Sequence, residues 1–295
     1  MAGAKLIVFG GSGLVGREFI RQAKNEGISA PSHNEVDLRD SDALKRFLSG
    51  EKAPTVINFV GHTNLPEAEK ERNNKEGEAW QLNVNVAENI AEACARENKF
   101  LIQISTDGVF PGTEAFPGPY SEDTEPIVDP ADLSWYGYTK LMGEKRVKEK
   151  CEKSAIVRIS HPFGNASSQK DFARKVIGYI QAGYVLFDDQ YFTPTYLRDL
   201  AKVLLKIASA EQTGVFHVVC SELTTPFKFA EHIARNRKLE EEVKMGKIDE
   251  WARQNPNHYP RVKHGGLNTL STQTRLGIKF HTWQEALDEF LPEIT

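Results

Sequence analysis

Cysteine is scarce, three in 295 residues, and Cys94, Cys151 and Cys220 stand far apart with no CxxC pair and no Cys/His spacing suited to zinc or another metal. That excludes a disulfide framework and a zinc finger, and it reads as the reduced thiols of a cytoplasmic protein. Long apolar runs are missing too. No stretch approaches the ~18 residues of a membrane span, and the N-terminal residues lead straight into a short apolar strand without the core of a signal peptide. Neither sign of charge dominates: 37 Lys+Arg against 41 Asp+Glu, net −4, leave no basic face for nucleic acid. The expected partner is a small molecule. What remains is ordinary globular composition, 40% hydrophobic and 26% charged, in a chain long enough for one large domain or two small ones.

The apolar residues alternate between strand-like and helix-like spacing. Lys5–Phe9 (KLIVF) is a β-forming run, and Leu14, Val15, Phe19 and Ile20 follow at helical spacing after a glycine turn. The unit recurs as a strand over Gly27–His33, a helix over Ser41–Leu48 capped by Ser41, and a strand over Thr55–Val60. A helix over Gly77–Asn98 and the strand Phe100–Ser105 come next. This alternation predicts an α/β fold, a Rossmann-type, doubly wound parallel sheet covered on both faces. Pro111, Pro117, Pro119, Pro126 and Pro130 make 111–132 an irregular loop, of a length usually tied to function. Beyond it the pattern gives a helix over Gly137–Lys150, a strand over Ala155–Ser160 and a helix over Asp171–Ala182. Sheet and helix return over Tyr184–Asp188, Leu197–Ala208 and Gly214–Val219, and two last helices cover Phe227–Arg235 and Trp283–Phe290. The expected organisation is a dinucleotide-binding domain over 1–160 with a returning segment about 184–219, and a smaller interleaved substrate-binding lobe from 161–183 and 220–295.

Two motifs carry chemistry. Gly10, Gly13 and Gly16 punctuate the first strand-to-helix turn, together with Ser12, Leu14 and Val15; glycine there lets backbone approach a pyrophosphate that faces the helix N-terminus. Such a turn also serves packing alone, but its place after the first strand of a βαβ series favours a nucleotide. Glu35 and Asp37 are the nearest acids to the second strand, while Arg17 and the Ser32-His33-Asn34 run suit a 2′-phosphate, which points to NADPH over NADH. The second motif is Tyr136-Gly137-Tyr138-Thr139-Lys140, which puts Tyr136 and Lys140 on one face of a helix. A phenol of pKa near ~10 needs a cation to act as an acid at neutral pH, and Lys140 supplies one. An isolated pair of this spacing is usually an interfacial tyrosine and a solvated lysine; the preceding glycine turn and Ser105-Thr106-Asp107 set this one apart.

With these motifs the chain resembles the extended short-chain dehydrogenase/reductase superfamily, and within it the dTDP-4-dehydrorhamnose reductase family. The resemblance runs through the glycine turn, Val56-Ile57-Asn58 with Gly61-His62-Thr63, Leu82-Asn83-Val84, Ser105 to Phe110, Tyr136 to Lys140 with Gly143-Glu144, Arg158-Ile159-Ser160, and Asp188 to Tyr191 with Pro194-Thr195. It implies Thr106, Tyr136 and Lys140 as the catalytic set, and a cofactor lined further by Asp37, Leu38, Phe59, Val60, Gly61, Ser105 and Ser160. It also implies a nucleotide sugar near Thr63, Asp107, Gly108, His161 and Gln190, and a homodimer. Three departures fall toward the sugar: Gly108 where the family usually carries Tyr, His161-Pro162 for Trp-Val, and Arg261-Val262-Lys263-His264 for an Arg-Pro-x-Asn segment. The long gap from Thr106 to Tyr136 suggests an enlarged loop over the site. A dehydratase needs an acid after Thr106-Asp107, and Gly108 is none. A nucleotide-sugar epimerase, and a non-catalytic NADP-binding subunit similar to the β subunit of methionine adenosyltransferase, remain as alternatives. His62 is a possible substrate contact, while His258, Lys263, His264, Glu122, Asp123 and Glu125 read as solvated loop residues.

Overall fold

The computed structural model describes residues 5–127, 129–256 and 258–294. Among them six parallel strands make one sheet: β1 (Leu6–Phe9), β2 (Ile28–Ser29), β3 (Thr55–Asn58), β4 (Phe100–Thr106), β5 (Ser154–Ile159) and, after the short β6 (Pro162–Phe163), β7 (Val185–Phe187) and β8 (Thr195–Tyr196), the edge strand β9 (Gly214–His217). The order is β2-β1-β3-β4-β5-β9. Side chains alternate across the pleat, so Leu6 and Val8 join one apolar layer and Ile7 and Phe9 the other. Helices α1 (Leu14–Gln22) and α8 (Leu197–Ala210) cover the first layer with Phe19, Leu200, Leu204 and Ile207. Helices α2 (Ser41–Gly50), α5 (Val86–Arg96) and α6 (Trp135–Lys150) cover the second with Leu44, Leu48, Ile90 and Val147. This is the expected doubly wound α/β architecture. A separate core of Phe163, Phe192, Phe229, Trp283 and Phe290 lies under α7 (Phe172–Gln181), α9 (Pro226–Arg237) and α12 (Trp283–Phe290).

Several local expectations change. Ser41 does not cap α2; Asp40 does, accepting from the backbone N–H groups of Asp42 and Ala43 at 2.9 Å each, because a carboxylate one residue earlier reaches both free donors. Helix α6 starts at Trp135, two residues early, because the Ser134 hydroxyl accepts from Gly137 N. The helix expected over Gly77–Asn98 breaks into α4 (Glu78–Trp80), a π turn over Gln81–Asn85 and α5. Strand β7 does not return to the main sheet: it pairs with β10 (Lys244–Gly246), so only α8 and β9 return. Short elements without strong periodicity went unread, namely α3 (Leu65–Lys70), α10 (Ile248–Gln254) and α11 (Leu270–Leu276).

The proline-rich loop is irregular but pinned. Gly118 N donates to His264 O at 2.7 Å, Asn268 N to Tyr120 O at 2.7 Å, and the Tyr120 ring stacks on Phe110 at 4.0 Å. Glu122 is buried, not a solvated loop acid, because its carboxylate accepts from both N and Oγ1 of Thr272 at 2.9 and 2.6 Å. Asp123 and Glu125 are exposed.

Candidate active site

The strand order reverses direction at β1, so the C-terminal ends of β1 and β3 border a crevice, the place where open α/β sheets take ligands. Gly10 has φ +77, and a Cβ on it would lie 2.9 Å from the Phe59 carbonyl carbon and from Val60 N. A Cβ on Gly16 would collide with Gly10 O, and Gly13 N bonds that same oxygen at 3.1 Å. Glycine is therefore required for the turn after β1 to lie against the Phe59-Val60-Gly61 turn after β3. No side chain caps α1, so its first N–H groups stay available to an anion. Ser12, Gly13 and Arg17 are exposed, with the Arg17 guanidinium donating to Ser12 O at 3.2 Å, while Leu14 and Val15 pack on the sheet. This cradle fits a dinucleotide.

At the end of β2 the expected residues are less free. Ser32 N and Oγ both donate to the Glu35 carboxylate at 2.8 Å, which holds Glu35 below the usual carboxylate range. His33 is exposed, Asp37 accepts from Arg39 N at 2.9 Å, and the Leu38 carbonyl accepts from Asn89 at 3.0 Å.

The catalytic candidates meet where β4 ends. Thr106 Oγ1 accepts from Gly108 N at 3.1 Å and donates to Asp107 Oδ1 at 3.2 Å. Gly108 lies between Thr106 and Tyr136: a Cβ there would stand 3.5 Å from Thr106 Oγ1 and 3.6 Å from Tyr136 Cε1. Lys140 Nζ, buried, comes within 3.6 Å of a Cβ placed on Gly61 and donates to Ile104 O at 2.7 Å. Burial pushes the Tyr136 phenol up to about 12, with the Thr106 hydroxyl opposing and Asp107 adding to the rise. Burial brings Lys140 down to about 8, opposed by Glu144. The expected lowering of the phenol's pKa by the ammonium is not what the structure shows. Desolvation sets the direction, and Nζ turns to the Ile104 carbonyl.

Two close approaches seat α6. A Cβ on Gly137 would collide with Gly108 O, and one on Gly143 with Asn83 O. Asn83, in the π turn, accepts from His62 N at 2.9 Å and donates to His62 O at 3.1 Å and Thr139 Oγ1 at 2.9 Å. It joins the β3 turn to α6, a role the sequence reading did not give it. The available signal was an amide inside an apolar stripe.

Behind the site, Glu144 and Arg158 form a buried bidentate pair at 3.0 and 2.7 Å. Burial favours the neutral acid, but the Arg158 charge and its bonds hold Glu144 below the usual range. Arg158 lies 5.0 Å over the Phe110 ring and 3.4 Å from His217 Nε2. Burial, then Arg158, push His217 down to about 3. Ser105 is buried on β4 opposite Arg158. Ser160, expected beside the cofactor, bonds Asp107 Oδ2 at 2.6 Å and His161 Nδ1 at 2.7 Å. The structure thus brings Thr106, Asp107, Gly108, Tyr136, Ser160 and His161 into one cluster. Gln190 gives its amide to Val262 O at 2.9 Å, and Thr63 is exposed beyond Gly61-His62. His264 stacks on Tyr191 and Lys263 pairs with Asp249 at 2.5 Å. Among the described residues no group of three or more His, Cys, Asp or Glu is placed to hold a metal ion.

A glycine cradle at the switch point, with a threonine at the end of β4 and a tyrosine and a buried lysine on α6, defines the extended short-chain dehydrogenase/reductase class. The chain belongs to the RmlD substrate binding domain family, whose pattern matches residues 4–295. It is 28% identical over 293 residues, 98% of this chain and 97% of the relative, to the spore coat polysaccharide biosynthesis protein SpsK of Bacillus subtilis (strain 168). It is 32% identical over 231 residues, 76% of this chain and 72% of the relative, to dTDP-4-dehydrorhamnose reductase of Mycobacterium tuberculosis (strain ATCC 25618 / H37Rv). The crystal structure of dTDP-4-dehydrorhamnose reductase from Bacillus anthracis in complex with NADP shares the fold, with TM-score 0.86 and 24% identity over 99% of this chain and 100% of that one.

Proposed function

We propose that this chain reduces the 4-keto group of a nucleotide-activated deoxysugar, the activity for which its dTDP-4-dehydrorhamnose reductase relatives are named, with NADPH, or NADH in its place, as reductant. Gly10, Ser12, Gly13, Gly16, Arg17, His33 and the Phe59-Val60-Gly61 turn would hold the dinucleotide. Bound there, it supplies a hydride to the carbonyl carbon. Tyr136, a phenol that burial keeps protonated, gives its proton to the carbonyl oxygen as that oxygen gains charge. Thr106 Oγ1 turns its proton from Asp107 Oδ1 to the same oxygen and orients it. Lys140, already desolvated beside Gly61, holds the ribose and balances the phenolate left behind.

The observation that carries this reading is the packing of Thr106 and Tyr136 around a residue with no side chain, Gly108. Tyr136→Phe removes the proton donor and leaves the cradle. NADPH binding, read by fluorescence titration, stays within about twofold, and turnover of dTDP-4-dehydrorhamnose falls on the order of 10²–10⁴-fold. Near-normal turnover in that variant refutes the assignment. Cofactor oxidation with a panel of 4-keto nucleotide sugars separates a reductase from an epimerase, and from a non-catalytic NADP-binding subunit, which a pull-down of a partner enzyme would reveal. The same reading gives a substrate lobe over 161–183 and 220–295, to which the pairing of β7 with β10 adds 184–188, a cytoplasmic chain and a homodimer. Among the described residues no helix is long and apolar enough to cross a membrane.

A further inference from the structure

One group beside the candidate site has a chemical state fixed by counting protons. Ser160 Oγ sits 2.6 Å from Asp107 Oδ2 and 2.7 Å from His161 Nδ1. A carboxylate only accepts, so the single hydroxyl proton of Ser160 goes to Asp107. Ser160 must then accept at its other contact, and Nδ1 of His161 must carry a hydrogen. In the neutral ring that leaves Nε2 as a lone-pair acceptor. Nε2 makes no hydrogen bond among the described residues, and His161 is exposed. The ring does not turn freely: Phe172 and Phe192 pack on it at 4.7 and 4.6 Å. Its backbone holds φ +43, left-handed for a non-glycine residue, a cost that clusters at functional sites. Where Phe172 and Phe192 cover the ring, desolvation favours its neutral form against the pull of Asp107, with Lys175 adding to it.

From this geometry we infer that His161 is a specificity residue whose Nε2 accepts a hydrogen bond from a hydroxyl of the hexose on the carbon flanking the keto group. The inference rests on the reductase reading and deepens it. Asp107 anchors both arms of the arrangement, because its Oδ1 faces Thr106 Oγ1 at 3.2 Å while its Oδ2 holds Ser160. The group that orients the keto oxygen and the group that reads the neighbouring hydroxyl are thus built on one carboxylate. A tryptophan, the usual residue here in the resembling family, has only a donor in its ring. His161 reverses that polarity.

The test uses the full chain with NADP present. Long-range ¹⁵N NMR of the imidazole is expected to show the Nδ1–H tautomer of His161, shifting toward Nε2–H in Ser160→Ala. Calorimetry then compares dTDP-rhamnose with dTDP. His161→Phe is expected to weaken dTDP-rhamnose about tenfold and to leave dTDP unchanged, since a single hydrogen bond is lost; His161→Gln, which keeps an acceptor, is expected to recover part of the loss. An Nε2–H tautomer in the wild type overturns the inference. So does a His161→Phe variant that weakens both ligands equally or neither. In all of those outcomes a wild type that still turns over 4-keto sugar leaves the reductase reading intact. A wild type that binds neither ligand overturns the reductase reading, and this role with it.

Discussion

Glu144→Gln removes one charge from a pair whose side chains are 1% and 2% exposed. Arg158 then keeps its charge in a site sealed by Phe110 and His217. Breaking a buried pair by removing one partner costs about 3–5 kcal/mol, because the other charge is left uncompensated. Glutamine retains one acceptor oxygen, so about 3 kcal/mol is expected. At roughly 2–4 °C per kcal/mol for a chain of this size, the melting temperature should fall by about 6–12 °C. A second effect reaches the chemistry. Lys140 lies near 8 because burial lowers it and Glu144 partly restores it. Removing the carboxylate lowers it further. The ammonium is the working form, so turnover falls as pH rises through the Lys140 pKa, and in the variant that alkaline limb moves to lower pH. Scanning fluorimetry and kcat profiles from neutral to alkaline pH read the two effects separately. Replacing both partners, Glu144→Met with Arg158→Met, removes the orphaned charge and should recover most of the melting temperature. An unchanged melting temperature together with an unmoved alkaline limb in Glu144→Gln refutes the argument.

Gly10→Ala should cost about 1–3 kcal/mol from the φ +77 backbone alone, push the Phe59 turn away from β1, and abolish NADPH fluorescence enhancement; retained binding would mean the turn does not hold the dinucleotide. His217 titrates near 3 in the fold against about 6.5 in an unfolded chain. Below the unfolded value the unfolded state binds the extra proton, so stability is lost as pH falls from about 6.5 toward 3, by ~1.4 kcal/mol per pH unit. Asp171, raised by burial to about 6, works in the opposite sense in part of that window. Denaturant midpoints of wild type minus His217→Gln cancel the Asp171 contribution, and a difference that does not vary across the window defeats the assignment.

Short, continuous apolar runs made the sheet legible. The LIVF, TVIN and FLIQIS segments are buried on both faces, so their β-branched and aromatic residues need no alternation to be read as strands. Likewise Tyr136 and Lys140 follow from a spacing that any α-helix converts into one face. What was not legible depends on contacts between distant segments. Glu122 looks like one acid among several in a proline-rich loop, and only its partnership with Thr272 buries it. The π turn at Gln81–Asn85 leaves the apolar stripe nearly unchanged, so periodicity passes over it. The direction of the Tyr136 shift was missed because helical spacing predicts proximity to a cation and says nothing of desolvation, which here is the larger effect.

The π turn accounts for how two separately encoded motifs come to share one site. An extra residue in the helix rotates Asn83 out of the regular ladder, a distortion that recurs at functional sites, and lets its amide grip both backbone groups of His62. The same amide reaches Thr139, one residue before Lys140, and the Asn83 backbone carbonyl fills the space that Gly143 leaves on α6. The turn after β3 and the helix bearing Tyr136 and Lys140 are therefore fixed to each other through one side chain and one missing side chain. A shift of either segment would break buried hydrogen bonds, at about 1–3 kcal/mol for each group left unpaired. That is why a lysine from α6 can stand beside Gly61 without a salt bridge to hold it there.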